Sequence, residues 1–279
     1  MSASPSGEAR IARAFANAEG AGRAAFVPYL TAGFPDARTS LAAARTLLRH
    51  ADLLELGLPF SDPLGDGPTI QRASEVALAA GTRTRDVFDT LRTLRAETDV
   101  PLVVMTYYNP IYCYRGPAGE GEGAFVRDVR AAGADGLILP DLPPDEGATL
   151  IAEARSAGLA TVFLVAPTST EARLRLVSEA CRGFVYAVSV TGVTGAREGV
   201  GGEIADLVRR TKAVSDLPVA VGFGVATPAD AASVAAFADA VVVGSKLVQT
   251  VADGGDLDAI AAALAAACSR AGAGPAQGG

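Results

Sequence analysis

The chain has 279 residues, 49% of them hydrophobic, and a formal net charge of −7. That apolar content suffices for a sizeable core, and the acidic balance argues against nucleic acid and anionic membranes as partners. No apolar run approaches the roughly 18 to 20 residues of a membrane span, and MSASPSGEARIARAFANAEG lacks the basic-then-apolar order of a secretory signal, so a cytoplasmic location is expected.

Residues 1–10 read as a disordered leader, residues 11–270 as one catalytic domain, and 271–279 (AGAGPAQGG) as a disordered tail. Within the domain, short apolar runs rich in β-branched residues alternate with longer segments of helical period. In chain order the runs are AAFVPYL (24–30), DLLELG (52–57), PLVVMTY (101–107), DGLILP (135–140), ATVFLVA (160–166), GFVYAVSV (183–190), PVAVGFG (218–224) and DAVVVG (239–244). Between them lie segments such as DARTSLAAARTLLRH and TRDVFDTLRTLRAET, whose apolar positions recur every three or four residues. Asp36, Thr84 and Thr170 are expected to cap helices, and Gly133 and Gly158 to end them. The Gly-rich stretch RGPAGEGEGAF (115–125) reads as a flexible loop before the third helix.

Strands apolar on both faces and separated by helices imply a parallel sheet with helices over it. Eight such units in one α/β chain point to a closed (β/α)8 barrel, a TIM barrel, more than to an open doubly wound sheet. The first strand–helix junction, TAGFPD, also lacks the G-x-G-x-x-G of a dinucleotide site. The three cysteines, Cys113, Cys181 and Cys268, are widely spaced without C-x-x-C, so neither a disulfide framework nor a metal site is expected. His50 is the only histidine, which excludes any mechanism needing two; it reads as a residue near a helix C-terminus.

Barrel enzymes carry their chemistry at the C-terminal ends of the strands. The stretch LLELGLPFSDPLGDGPTIQ (53–71) sets one carboxylate inside an apolar strand. If Leu54 and Leu56 face the helices, Glu55 faces the barrel interior, where poor hydration would raise its pKa and suit it to carry protons near neutrality. Asp66 follows in a loop stiffened by Pro63 and Pro68, and could be either a second acid or an Asx turn. VTGVTGAREGVGGEI after the sixth strand is a candidate lid. GFGVATPAD and GSKLV after the seventh and eighth are a candidate phosphate site: Gly222 and Gly224 would let the backbone approach an anion, and Gly244 and Ser245 would open a helix towards it. These residues together suggest acid–base chemistry on a small phosphate ester without a metal.

LLELGLPFSDPLGDGPTIQ closely resembles the signature of the tryptophan synthase alpha chain family, and FVPYLTAGFPD, MTYYNPIY, LPDLPPDE, SVTGVTGAR, VGFGV and VVVGSKLV continue the resemblance in family order. It implies a lyase of tryptophan biosynthesis that cleaves indole-3-glycerol phosphate to indole and D-glyceraldehyde 3-phosphate. By position, it makes Glu55 and Asp66 catalytic. Tyr29 and Tyr107 would line an indole pocket, with Tyr186 close to Glu55. Gly195, Gly224, Gly244 and Ser245 would hold the phosphate, and Thr194 would belong to a closing loop that contacts Asp66. The resemblance further implies no cofactor in this chain and a beta subunit partner containing pyridoxal phosphate. That partner would receive the indole in an alpha2beta2 heterotetramer, with loops 57–68, 109–114, 141–145 and 190–200 involved in the contact. The chain departs from the pattern in its longer Gly-rich loop, in Val190, and in Lys246, which the family does not require.

Two alternatives differ in kind. A Schiff-base aldolase needs a lysine projecting from a strand, but the two lysines, Lys212 and Lys246, fall in a helical segment and at a helix start. A non-catalytic subunit that binds a phosphate ester and only activates a partner is the other.

Overall fold

The computed structural model describes residues 5–188, 200–222 and 224–270. Eight parallel strands close into a barrel: β1 (Ala25–Thr31), β2 (Leu54–Gly57), β3 (Leu102–Met105), β4 (Gly136–Leu139), β5 (Ala160–Val165), β6 (Val185–Val188), β7 (Val219–Gly222) and β8 (Ala240–Val243). Each pairs with its neighbours in chain order, and β8 closes on β1. The expected (β/α)8 barrel is therefore the fold, and each strand lies inside its apolar run except β1, which extends one residue further to Thr31.

The period-2 alternation sorts side chains into two layers. Leu54, Leu56, Leu102, Val104, Val241 and Val243 face outward and pack under the helices, joined by Val87, Phe88, Leu91 and Leu94 of the helix Thr84–Arg95. Val27, Leu53, Val103, Ile138, Val162, Tyr186, Ala220 and Val242 form the separate inner cluster. Register fixes which inner residues meet: Glu55 pairs with Tyr29 on β1 and Val103 on β3.

Residues 7–10, expected to belong to a disordered leader, are helical instead. A helix spans Gly7–Gly20, capped by the Ser6 side chain, which accepts from the Ala9 N–H at 3.2 Å. Ile11, Phe15 and Ala18 join the inner cluster, with the Phe15 ring 5.5 Å from Phe184. Each of the larger two contributes about 1.5–3 kcal/mol on full burial. Arg10 is buried as well: its Nε donates to Asp135 Oδ1 at 3.0 Å, and Arg95 and the Leu102 N–H also donate to that carboxylate. A polar segment is ordered here because its partner lies 125 residues away in sequence.

Asp36 and Thr170 cap helices as expected, and Gly133 and Gly158 follow helix ends with φ of +103° and +66°. Thr84 is instead the first helical residue. The cap is Arg83, whose N–H donates to the Asp86 carboxylate at 2.8 Å. The Gly-rich stretch is not a loop throughout: Arg115–Gly116 pairs with Gly119–Glu120 as a short antiparallel hairpin, and a helix runs from Gly121 to Ala131. Buried Asp128 holds the hairpin down, accepting from the Tyr114 hydroxyl at 2.8 Å and the Ala118 N–H at 3.1 Å. His50 follows the end of the helix Ala37–Leu48 and pairs with Asp258 at 2.7 Å. No described helix is long and apolar enough to cross a membrane.

Candidate active site

A cavity of about 460 Å³ opens at the C-terminal end of the barrel, within the size range of small-molecule sites. Tyr29 of β1, Glu55 of β2, Met105 of β3, Tyr186 of β6 and Val242 of β8 form part of its wall. All five sit at inward positions of their strands, Met105 being the last residue of its own. Asp66 enters from the loop after β2, and Ile70 from the helix Pro68–Ala79.

Glu55 is 1% exposed, and neither carboxylate oxygen has a hydrogen-bond partner. An ionised carboxylate in such a place is costly, so the protonated form is favoured. Burial, reinforced by the nearby Asp66 charge, pushes its pKa from 4.5 up to about 8. Asp66 also has a buried, unpartnered Oδ1. Its pKa is pushed up to about 6, again mainly by burial, and the neighbouring Tyr107 hydroxyl acts against the rise. Near pH 7 the site thus holds one protonated and one ionised carboxyl group, two carboxyls separated by their surroundings.

Asp66 does not form an Asx turn. The backbone makes the turn, with the Asp66 N–H donating to the Pro63 carbonyl at 3.0 Å. Gln71 Nε2 donates to the Asp66 carbonyl at 2.8 Å, which ties the loop to the following helix. Gln71 was not a candidate in the sequence, although it stands one turn into a helix that begins at Pro68.

Tyr29 and Tyr186 line the cavity, but Tyr107 does not. Tyr107 lies just past the end of β3, where strand alternation no longer fixes direction. Its ring stacks on Phe60 at 5.2 Å, and its hydroxyl accepts from the Gly65 N–H at 2.9 Å, so it supports the loop carrying Asp66. The apolar wall draws instead on Ile70, Met105 and Val242, which the sequence reading passed over. Met105 and Val242 share inward parity with Val103 and Ala240, a signal that was present in the runs.

Gly224, Gly244, Ser245 and Lys246 also line the cavity, and a Cβ built on Gly244 would touch Tyr29 and Ile70 at 3.4 Å. Gly224 has φ +87°, a conformation open to glycine. Ser245 begins the helix Ser245–Ala252 without a side-chain cap, leaving the first N–H groups unsatisfied within the helix. Gly222 has a different task from the one expected. A Cβ there would lie 2.3 Å from the Tyr186 hydroxyl oxygen, so the missing side chain makes room for Tyr186. Thr194, Gly195, Val190 and the candidate lid up to residue 199 lie outside the described residues, and residues 200–204 of that stretch begin the helix Val200–Lys212.

The sequence model described as tryptophan synthase alpha chain matches residues 15–272. A tryptophan synthase alpha chain from Deinococcus radiodurans is 54% identical over 265 residues, covering 95% of this chain and 96% of its own. One from Geobacter sulfurreducens is 49% identical, covering 86% and 89%. Among solved structures, a tryptophan synthase chain from Mycobacterium tuberculosis superposes with a TM-score of 0.86 at 44% identity, covering 95% of this chain and 99% of its own. A barrel with two carboxyl groups at its mouth, matched over nearly its whole length by these relatives, belongs to the tryptophan synthase alpha chain family.

Proposed function

We propose that Glu55 and Asp66 carry out in this chain the family's reaction, the cleavage of indole-3-glycerol phosphate to indole and glyceraldehyde 3-phosphate. The bond to be broken joins indole C3 to the carbon bearing the side-chain hydroxyl. Protonated Glu55 gives its proton to C3, which turns the indole into a leaving group. The resulting carboxylate takes the proton of the hydroxyl as the C–C electron pair returns to the ring and the aldehyde forms. The acid is regenerated in one turnover, as a group with a pKa near neutrality allows. Positive charge grows on the ring during the first step, and ionised Asp66 stabilises it from beside the ring N–H. Tyr29, Tyr186, Ile70, Met105 and Val242 offer the flat apolar surface an indole needs. Gly224, Gly244 and Ser245 receive the phosphate together with Gly195 of the loop after β6, and Thr194 of that loop contacts Asp66.

The observation carrying this reading is the pair of Glu55 oxygens, buried at the cavity wall and bonded to nothing. An indole-release assay with indole-3-glycerol phosphate tests it, with and without a beta subunit. Wild-type protein releases indole. Glu55→Gln keeps the size but carries no exchangeable acid, and loses about 10²–10⁴ in kcat while still binding the phosphate ester. Unchanged turnover in Glu55→Gln would defeat the assignment, and a wild type without lyase activity would favour a subunit that only activates its partner.

The chain is assigned no cofactor, with pyridoxal phosphate held by a beta subunit that receives the indole in a cytoplasmic alpha2beta2 assembly. Leu64, 91% exposed in the loop after β2, and Tyr112, 65% exposed at the end of the short helix Tyr108–Tyr112 after β3, support such a contact as large apolar side chains facing solvent.

A further inference from the structure

Lys246 is the one cationic side chain in the cavity lining among the described residues, in a cavity that also holds two carboxyl groups. The substrate assigned above carries a phosphate of nearly two negative charges. It must enter an acidic protein of net charge −7, towards Asp66, which is ionised near neutrality. Backbone N–H groups at a helix start offset part of that repulsion but carry no full charge. Lys246 is the second residue of the helix Ser245–Ala252, and it shares the cavity-facing side of that helix with Gln249, one turn on. It follows Gly244 and Ser245 directly in the chain, lines the cavity together with them and Gly224, and is half-buried. The other lysine, Lys212, is committed elsewhere, to Asp239 at 2.7 Å. The cavity itself is built for a ligand, because Glu55 is buried with both oxygens unpartnered at its wall.

We propose that Lys246 is a substrate-binding residue of this chain, pairing its ammonium with the phosphate end of the substrate and of the phosphorylated product. The inference rests on the cleavage reaction assigned above. The phosphate keeps its charge from substrate through transition state to product, so the contact binds all three alike. Such uniform binding lowers KM and leaves kcat alone. It also orients the substrate, because the anion is drawn to Lys246. A flexible ammonium acts as a point charge, so the contact should survive replacement by arginine better than by any neutral residue.

The test uses Lys246→Met and Lys246→Arg, assayed with indole-3-glycerol phosphate in the presence of a beta subunit, together with calorimetric titration of the chain with inorganic phosphate. In Lys246→Met, KM should rise about tenfold, the size expected of a charge-assisted contact at a partly solvated site, with kcat within about twofold. The dissociation constant for phosphate should rise by a similar factor, and the increase of wild-type KM with salt should flatten. Lys246→Arg should stay within about threefold of wild type. A Lys246→Met protein with wild-type KM and wild-type phosphate affinity would overturn the inference. A loss of kcat with KM unchanged would overturn it too, since that pattern belongs to a structural or chemical role. If the wild type releases no indole, the reaction reading fails instead, and the phosphate titration still decides the role of Lys246.

Discussion

The Tyr186 hydroxyl occupies the space that a side chain at Gly222 would need: a Cβ built on Gly222 lies 2.3 Å from Tyr186 Oη and 2.6 Å from Cε1. The two residues stand on adjacent strands, β6 and β7. Tyr186 is 6% exposed and shares the cavity wall with Glu55. The glycine therefore sets the position of a ring that helps to desolvate the acid. A similar relation holds on the opposite side, where a Cβ at Gly57 would meet Tyr29 Oη at 2.1 Å.

Gly222→Ala should accordingly displace Tyr186 into the cavity. The expected result is a fall in kcat/KM of at least tenfold and a loss of about 1–3 kcal/mol in stability, the usual cost of overpacking a core. Indole release and urea unfolding measure the two effects. A variant with wild-type values in both would show that the ring is free to move elsewhere.

Burial of Glu55 also has a consequence for stability against pH. Its folded pKa, about 8, lies above the unfolded value of 4.5, so the folded state binds the proton more tightly. The contribution is full below about pH 4.5, declines as pH rises, and is lost above about pH 8. Over that window the wild type should lose on the order of 5 kcal/mol relative to Glu55→Gln, which has no proton to release. Urea unfolding of both proteins at pH 4.5 and pH 8.5 gives the difference, and a difference independent of pH would contradict the shift. Asp66 adds a smaller decline between about 3.8 and 6 in both proteins.

Tyr107→Phe should act through Asp66. The hydroxyl that accepts from the Gly65 N–H also lowers the Asp66 pKa from the value that burial alone would give. Its removal should shift the acid limb of the kcat/KM–pH profile upward, because Asp66 then ionises later. The alkaline limb, set by Glu55, should move less. An acid limb left in place would separate Tyr107 from Asp66.

The barrel and the inward direction of Glu55 were legible in the sequence because both follow from local alternation. Leu54 and Leu56 must face the helices, so Glu55 cannot. The phosphate-end residues Gly224, Gly244 and Ser245 were legible because strand ends in this fold carry the chemistry. Features that depend on distant partners were not. Arg10 reads as a charged residue near a polar end, and only the carboxylate of Asp135 makes it part of the buried floor. Tyr107 and Gly222 both sit at the ends of strands, where the period-2 pattern stops fixing direction and a neighbouring strand decides. The start of the helix at Thr84 missed by one residue because the Asp86 carboxylate caps the backbone of Arg83.

Catalysis by this site depends most on Glu55 holding its proton at neutral pH. The direct measurement is a carbon-13 NMR titration of the Glu55 side-chain carboxyl in the unliganded protein, assigned by its loss in Glu55→Gln. A midpoint near 8, with the group mainly protonated at pH 7, is the predicted result. A midpoint near the ordinary value of 4.5 would leave an ionised glutamate with no proton to give, and would contradict the mechanism.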